Sequence, residues 1–295
     1  MHYTFADIFC GAGGFSWGFR DYSEHLWGLD ADPYACATYQ ANIGRAIQAD
    51  VASVDWTAIA RPDVLIGAPP CQGFSQLMAA RVAPDDPKNG LVWGFVWAVA
   101  TLRPQAFVME NVLGLSRGTW TEYPLWVKGA LETLGYRVTV MKLNAADYGV
   151  PQIRRRIFWA GIRGSSPIGI PAATHSSDGI FGTRWVTVRE ALGLPVDRPS
   201  YTVTATEYKG RGGRSRRASD TPGILNGQSR LSVEECMTLM GFPRGYVLRG
   251  SLYKRYALVG NAVCPAVAKA IAKEVHNALD ISKATRLRGE GLGGG

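Results

Sequence analysis

Apolar and polar positions alternate in two rhythms along the first 160 residues. Short apolar runs, Phe5–Phe9, Leu26–Leu29, Ala46–Gln48, Asp63–Ile66 and Ala106–Met109, are each followed by turn residues and read as buried strands. Between them, helical patterns run over Gly14–His25, Pro33–Asn42, Leu91–Leu102 and Thr121–Leu134. Pro33 just inside its helix, after Asp32 as N-cap, marks a helix start. Strand–helix alternation predicts an α/β fold whose parallel sheet is covered on both faces. A ligand then belongs at the carboxyl ends of the strands.

From Gly164 to about Gly227 the texture changes to Gly, Pro, Ser, Thr and Arg, with short strands expected at Trp185–Val188 and Ser200–Thr204. Helical periodicity returns over Leu231–Met240 and Pro265–Leu279. In the latter, Val267, Ile271, Val275 and Leu279 form an apolar stripe that needs the first lobe to pack on. The expected organisation is a catalytic and cofactor-binding domain over 1–163, completed by 231–281. A small loop-rich lobe spans 164–230 and a flexible Gly-rich tail 282–295.

With 46% hydrophobic residues among 295, dominant disorder is excluded. The net charge of +8 is concentrated: residues 154–217 hold 12 basic and 4 acidic side chains, which equals the whole excess. Eleven of the 12 are arginines, which suit bidentate contacts to phosphate and guanine. Five cysteines without a Cys-x-x-Cys pair, and four histidines, give no basis for a zinc site or a disulfide framework. No metal is expected, and a reducing compartment is. The longest apolar stretch, Gly90–Leu102, is too short to span a bilayer.

The chemistry gathers at the predicted strand ends. Phe9-Cys10-Gly11-Ala12-Gly13-Gly14 leads from a strand through a glycine turn into a helix, where backbone can approach a nucleotide-like ligand. A tight structural turn explains the same glycines, and Ser16 stands where a dinucleotide fingerprint wants its third glycine. Asp30 and Asp50 close the next two strands, where carboxylates can accept ribose hydroxyls and an adenine amino proton. Together the three strand ends favour an adenosine site. Pro69-Pro70-Cys71-Gln72 places a cysteine at a fourth strand end, where a nucleophile is expected, and Glu110-Asn111-Val112 closes the fifth.

Five ordered motifs now stand together: Phe9-x-Gly11-x-Gly13-Gly14, Pro69-Pro70-Cys71-Gln72, Glu110-Asn111-Val112, Gln152-x-Arg154-x-Arg156 and Gly260-Asn261-Ala262-Val263. In this order they resemble the cytosine-C5 DNA methyltransferases, over about residues 3–161 and 228–278. The resemblance implies a Rossmann-like S-adenosylmethionine-dependent fold with a target-recognition lobe. It implies that Cys71 attacks C6 of a flipped-out cytosine in duplex DNA. Glu110 would protonate or hydrogen-bond N3, Arg156 would hold O2, and Arg154 the adjoining phosphate or intermediate. Phe9, Gly11, Ala12, Gly13 and Gly14, with Asp30 and Ala31, Asp50 and Val51, Pro70 and Leu91, would hold S-adenosylmethionine. Asn261, Ala262 and Val263 would complete that pocket from the C-terminal segment. The loop from Gln72 to Asn89 would close over DNA. DNA contacts would come from Gln72, Ser75, Arg155, Lys209, Arg211, Arg214, Arg216, Arg217 and Arg230. In a strand, Arg154 and Arg156 point to one face and Arg155 to the other.

Ala31 stands where many relatives carry a bulky apolar residue, and Cys264 where many carry proline. Only about 25 residues separate Thr204 from Arg230, and so short a reader suggests a short recognition site or relaxed specificity. The resemblance further implies a monomer, cytoplasmic and DNA-associated in a bacterium or phage, with a restriction endonuclease as companion. Alternatives are a tRNA cytosine-C5 methyltransferase, whose Cys-Phe-Thr motif is replaced here by Glu235-Cys236-Met237-Thr238, and a non-catalytic DNA-binding protein. A dinucleotide-dependent oxidoreductase explains neither Pro-Pro-Cys nor the basic lobe.

Overall fold

The structure, a computed structural model, describes residues 3–70, 90–116, 121–164, 166–180, 182–207 and 231–291. Seven strands make one sheet. β1 (Tyr3–Ile8), β2 (Ser23–Asp30), β3 (Ala46–Gln48), β4 (Val64–Gly67) and β5 (Ala106–Val112) are joined by β6 (Arg137–Asn144) and β7 (Arg155–Ile162) in the order β3-β2-β1-β4-β5-β7-β6. The first five pair in parallel, and β7 runs antiparallel between β5 and β6. The order reverses between β1 and β4, so the carboxyl ends of both strands open into one crevice.

Helices cover both faces. On one, α1 (Gly14–Phe19) packs on α8 (Pro265–Gly291), with α6 (Val233–Met240) and α7 (Leu252–Asn261) beside them. On the other, α3 (Gly90–Leu102) and α4 (Tyr123–Thr133) bury Phe95, Val99, Val127 and Leu131 against the sheet. The stripe of Val267, Ile271, Val275 and Leu279 is buried in one core with α1 and the sheet, as its periodicity predicts. α2 (Pro33–Asn42) starts where expected, with Asp32 accepting from the Tyr34 N–H at 2.9 Å.

Four local expectations differ from the structure. The helix predicted from Gly14 to His25 stops at Phe19, because Ser23–His25 pairs with Tyr3–Phe5 as the start of β2. The strand predicted at Trp185–Val188 gives way to α5 (Val188–Leu192), started by a Thr187/Glu190 capping box. At Ser200 there is a single bridge to Gln152 rather than a strand. α8 also continues past Leu279 to Gly291, into the stretch expected to be a flexible tail.

Candidate active site

A cavity of about 680 Å³ opens at the carboxyl ends of β1 to β5. Phe9, Gly11, Ala12 and Gly14 line it from the turn after β1, Asp30 and Ala31 from the end of β2, and Asp50 and Val51 from the segment after β3. Pro70 lines it after β4, and Leu91 from the start of α3. Asn261, Ala262 and Val263 close it from the end of α7. Phe9 adopts a φ of 60°, a costly backbone state for a bulky side chain, at the point where the chain leaves β1 for the cavity rim.

The acids are held by backbone. Asp30 accepts from the Gly11 N–H at 3.0 Å and the Asp32 N–H at 2.9 Å, so the β2 carboxylate fixes the glycine turn after β1. Burial pushes its carboxyl up, against the pull of those donors. Asp50 accepts from the Ala52 N–H at 2.9 Å, a local turn that shapes the wall beside Val51.

Gly13 is the exception among the expected cofactor residues, for it is not in the cavity wall. It has a φ of 82° and precedes α1, and an added Cβ would stand 2.8 Å from the Tyr246 hydroxyl. It serves the turn. Gly14 does both: its added Cβ would meet the Val263 carbonyl at 2.2 Å, so only a bare backbone lets the C-terminal segment close on the turn.

At the other end of the cavity, Glu110 of β5 is buried, and its Oε1 accepts from Arg156 Nε at 2.9 Å. Burial holds its carboxyl above the usual range, and Arg156 and Arg154 pull it back down. Asn111, next along the strand, donates to the Pro69 carbonyl at 3.3 Å, which pins the Pro69-Pro70 turn against β5. Its partner lies 42 residues away, and no spacing rule reveals it.

Arg154 lines the cavity beside Glu110 and Arg156, and it also makes contacts that the sequence did not imply. Its guanidinium is buried and donates to the carbonyls of Val203 at 3.0 Å, Gly260 at 2.9 Å and Ala262 at 2.9 Å. Burial pushes its pKa down to about 10. It ties the start of β7 to Val203 and to the segment that carries Asn261. Gln152 adds to the tie, accepting from the Val203 N–H at 3.0 Å and donating to the Leu239 carbonyl at 2.9 Å. Arg155 is exposed, as the strand phase predicts.

Sequence reasoning missed the face of α7. Tyr253 and Lys254 line the cavity, and Lys254 pairs with Asp32, 222 residues away. It also missed Asp7, which lines the cavity from within β1. An acid inside an apolar run was the available signal. Cys71, Gln72 and Ser75 lie outside the described residues, as do Lys209, Arg211, Arg214, Arg216, Arg217 and Arg230. Among the described residues no cluster of His, Cys, Asp or Glu is arranged to hold a metal, and no helix is long and apolar enough to cross a membrane.

The family profile of the C-5 cytosine-specific DNA methylases matches residues 3–181 and 193–277, which include every part of this site. The chain belongs to that family. The methylase is 32% identical to the Type II methyltransferase M1.HphI of Haemophilus parahaemolyticus, over 93% of its own length and 87% of the relative's. It is 31% identical to the Type II methyltransferase M.AplI of Arthrospira platensis, over 93% of its own length and 86% of the relative's. Among solved structures, a DNA modification methyltransferase encoded within an E. coli prophage superposes with a TM-score of 0.68 at 21% identity, over 94% of the methylase and 99% of that chain. That likeness bears on the fold.

Proposed function

We propose that this DNA cytosine-C5 methyltransferase carries its methyl group from S-adenosylmethionine to C5 of a cytosine flipped out of duplex DNA, through a covalent bond to Cys71. The observation that carries the reading is the Glu110–Arg156 pair. A buried carboxyl and a guanidinium share one face of β5 and β7, at one end of a cavity whose other end holds Asp30 and Asp50. Base chemistry and adenosine binding thus meet in one crevice.

The residues present fit S-adenosylmethionine. Asp30 keeps acceptor capacity for ribose hydroxyls beyond its two backbone bonds, and Val51 and Leu91 offer apolar walls. When bound, this cofactor supplies an electrophilic methyl group. The chain's own groups do the rest. The Cys71 thiolate adds to C6, and the electron pair it displaces moves through the ring toward N3. Glu110 meets that charge with a proton, which burial makes it hold more tightly than an exposed carboxyl would. Arg156, fixed on Glu110, offers its remaining donors to O2. C5, left electron-rich by that addition, is the atom to which the cofactor would supply its methyl group. A base then removes the C5 proton, Glu110 takes back the N3 proton, the C5=C6 bond re-forms, and the Cys71–C6 bond breaks to release the thiolate. Asn111 holds the Pro-Pro turn that leads into Cys71. The arginines of the 164–230 lobe suit DNA phosphates, and duplex DNA is the partner that the charge favours.

The test is incubation with duplex DNA containing 5-fluorocytosine and S-adenosylmethionine. Fluorine cannot leave as a proton does, so a covalent adduct through Cys71 accumulates, and Cys71→Ser forms none. An adduct on another side chain, or none on the parent protein, overturns the reading.

A further inference from the structure

The segment that leads into α7 is pinned along α2. The Asn42 side chain donates to the Val247 carbonyl at 2.7 Å and accepts from the Val247 N–H at 2.9 Å. One turn earlier, Thr38 Oγ1 accepts from the Arg249 N–H at 2.9 Å. One turn earlier again, the Tyr34 ring packs on Gly250, where an added Cβ would stand 2.9 Å from it. Asp32, the N-cap of α2, then takes Lys254. Residues 34, 38 and 42 share one face of the helix, so these contacts lead the chain from Val247 back along α2 to the end of β2.

That path delivers one face of α7 to the cavity. Tyr253, Ala257 and Asn261, with Lys254 and Leu258 beside them, recur at helical spacing and line it. On the β2 side the wall is made by Ala31, next to the Asp32 that holds Lys254. Ala31 is exposed and offers only a methyl group. Tyr253 lies between the anchors at Gly250 and Lys254, and it is 50% exposed. An exposed tyrosine alone is ordinary. One carried on a rim that is fixed on both flanks is pre-organised, since little conformational freedom remains to be lost when a flat ligand packs on it.

We propose that Tyr253 is a specificity-determining residue of the cofactor site, whose ring packs on the adenosine at the side of the pocket that Ala31 leaves bare. This rests on the reading of the pocket as an S-adenosylmethionine site. Asp30 and Asp50 can fix the edges of an adenosine by hydrogen bonds, but a carboxylate gives a flat base no face to lie on. Beside Ala31 and Ala35, Tyr253 is the large ring that does. The same reading accounts for the bonds that hold residues 247–254 to α2: a ring set against a ligand has to be placed, and the helix that carries it also carries Asn261.

Calorimetric titration with S-adenosylmethionine and with 5′-deoxy-5′-methylthioadenosine, which keeps the adenosine and lacks the amino-acid chain, tests this. Tyr253→Ala weakens both ligands by the same factor, on the order of ten-fold. Tyr253→Phe, which keeps the ring, stays within about two-fold of the parent. Ala31→Phe supplies a ring from the β2 side, so in the Tyr253→Ala background it recovers most of the loss, and the two changes are not additive. No loss in Tyr253→Ala, a loss confined to S-adenosylmethionine, a Tyr253→Phe as weak as Tyr253→Ala, or a loss that Ala31→Phe does not recover overturns the inference. If the parent protein binds neither ligand, the cofactor reading falls instead.

Discussion

Glu110 and Arg156 meet diagonally across the β5–β7 pair: Val112 stands opposite Arg156 and Phe158 opposite Glu110, and the side chains close at 2.9 Å. The antiparallel placement of β7 makes this possible, because it brings the Gln-x-Arg-x-Arg segment back to the carboxyl end of β5. The pair sets how readily Glu110 gives up its proton. Glu110→Gln should lower kcat by about 10²–10⁴-fold with little change in S-adenosylmethionine affinity, measured by single-turnover methyl transfer and by calorimetry. In Arg156→Gln, Glu110 loses an opposing charge, so the limb of the kcat–pH profile that belongs to it should move to higher pH.

Arg154 and Arg155 are neighbours with opposite fates. Arg154→Ala strands three carbonyls in the interior, and the loss should be on the order of 3 kcal/mol or more, since one hydrogen bond to a charged donor is worth roughly half that. Denaturant unfolding measures it. Arg155→Ala should leave stability within about 0.5 kcal/mol, as exposed substitutions do.

Gly14→Ala drives a Cβ into the Val263 carbonyl. The Gly260–Val263 segment has to shift, which carries Asn261 away from the pocket. The expected result is at least a ten-fold loss of S-adenosylmethionine affinity, roughly the 1.4 kcal/mol that a small misplacement costs, while the far-ultraviolet spectrum stays unchanged.

Asp7→Asn should stabilise the ligand-free protein at high pH. Burial holds the folded carboxyl at about 8, against about 3.9 when unfolded, so folding bears no cost below the lower value. Between the two values the unfolded chain is ionised and the folded one is not. Stability is therefore lost as pH rises toward 8. The variant should gain on the parent between about pH 4 and pH 8, by on the order of a few kcal/mol, in denaturant midpoints taken across that range.

Salt dependence checks the basic lobe. If Arg211, Arg214, Arg216 and Arg217 neutralise phosphates, replacing all four with Gln lowers the slope of log K against log salt by about 0.9 for each phosphate that no longer has its arginine. Cofactor affinity should stay the same. A slope equal to the parent's removes these arginines from the DNA interface.

Much of this architecture was legible because its signals are local. An apolar run followed by a glycine turn, a Pro-Pro turn or an acid needs only a few consecutive residues, and the cavity collects those strand ends. Where local signals were weak, the reading slipped. Ser23–His25 looked helical until β1 paired with it, and Gly13 was carried to the cofactor with the other residues of the Phe9–Gly14 motif, though in the fold it stands outside the cavity wall. The path of α8 through Gly291 ran against its glycines.

The sequence by itself determined the α/β class and the family, since both are written in residue types at fixed short spacing. Tertiary structure alone decided that Arg154 is a tie, that Lys254 reaches Asp32, that Asn111 pins Pro69, and that Asp7 is buried. Each depends on which distant segments share a boundary, and on how much water their packing removes. Burial and through-space pairing belong to the whole folded chain, and no stretch of it specifies them alone.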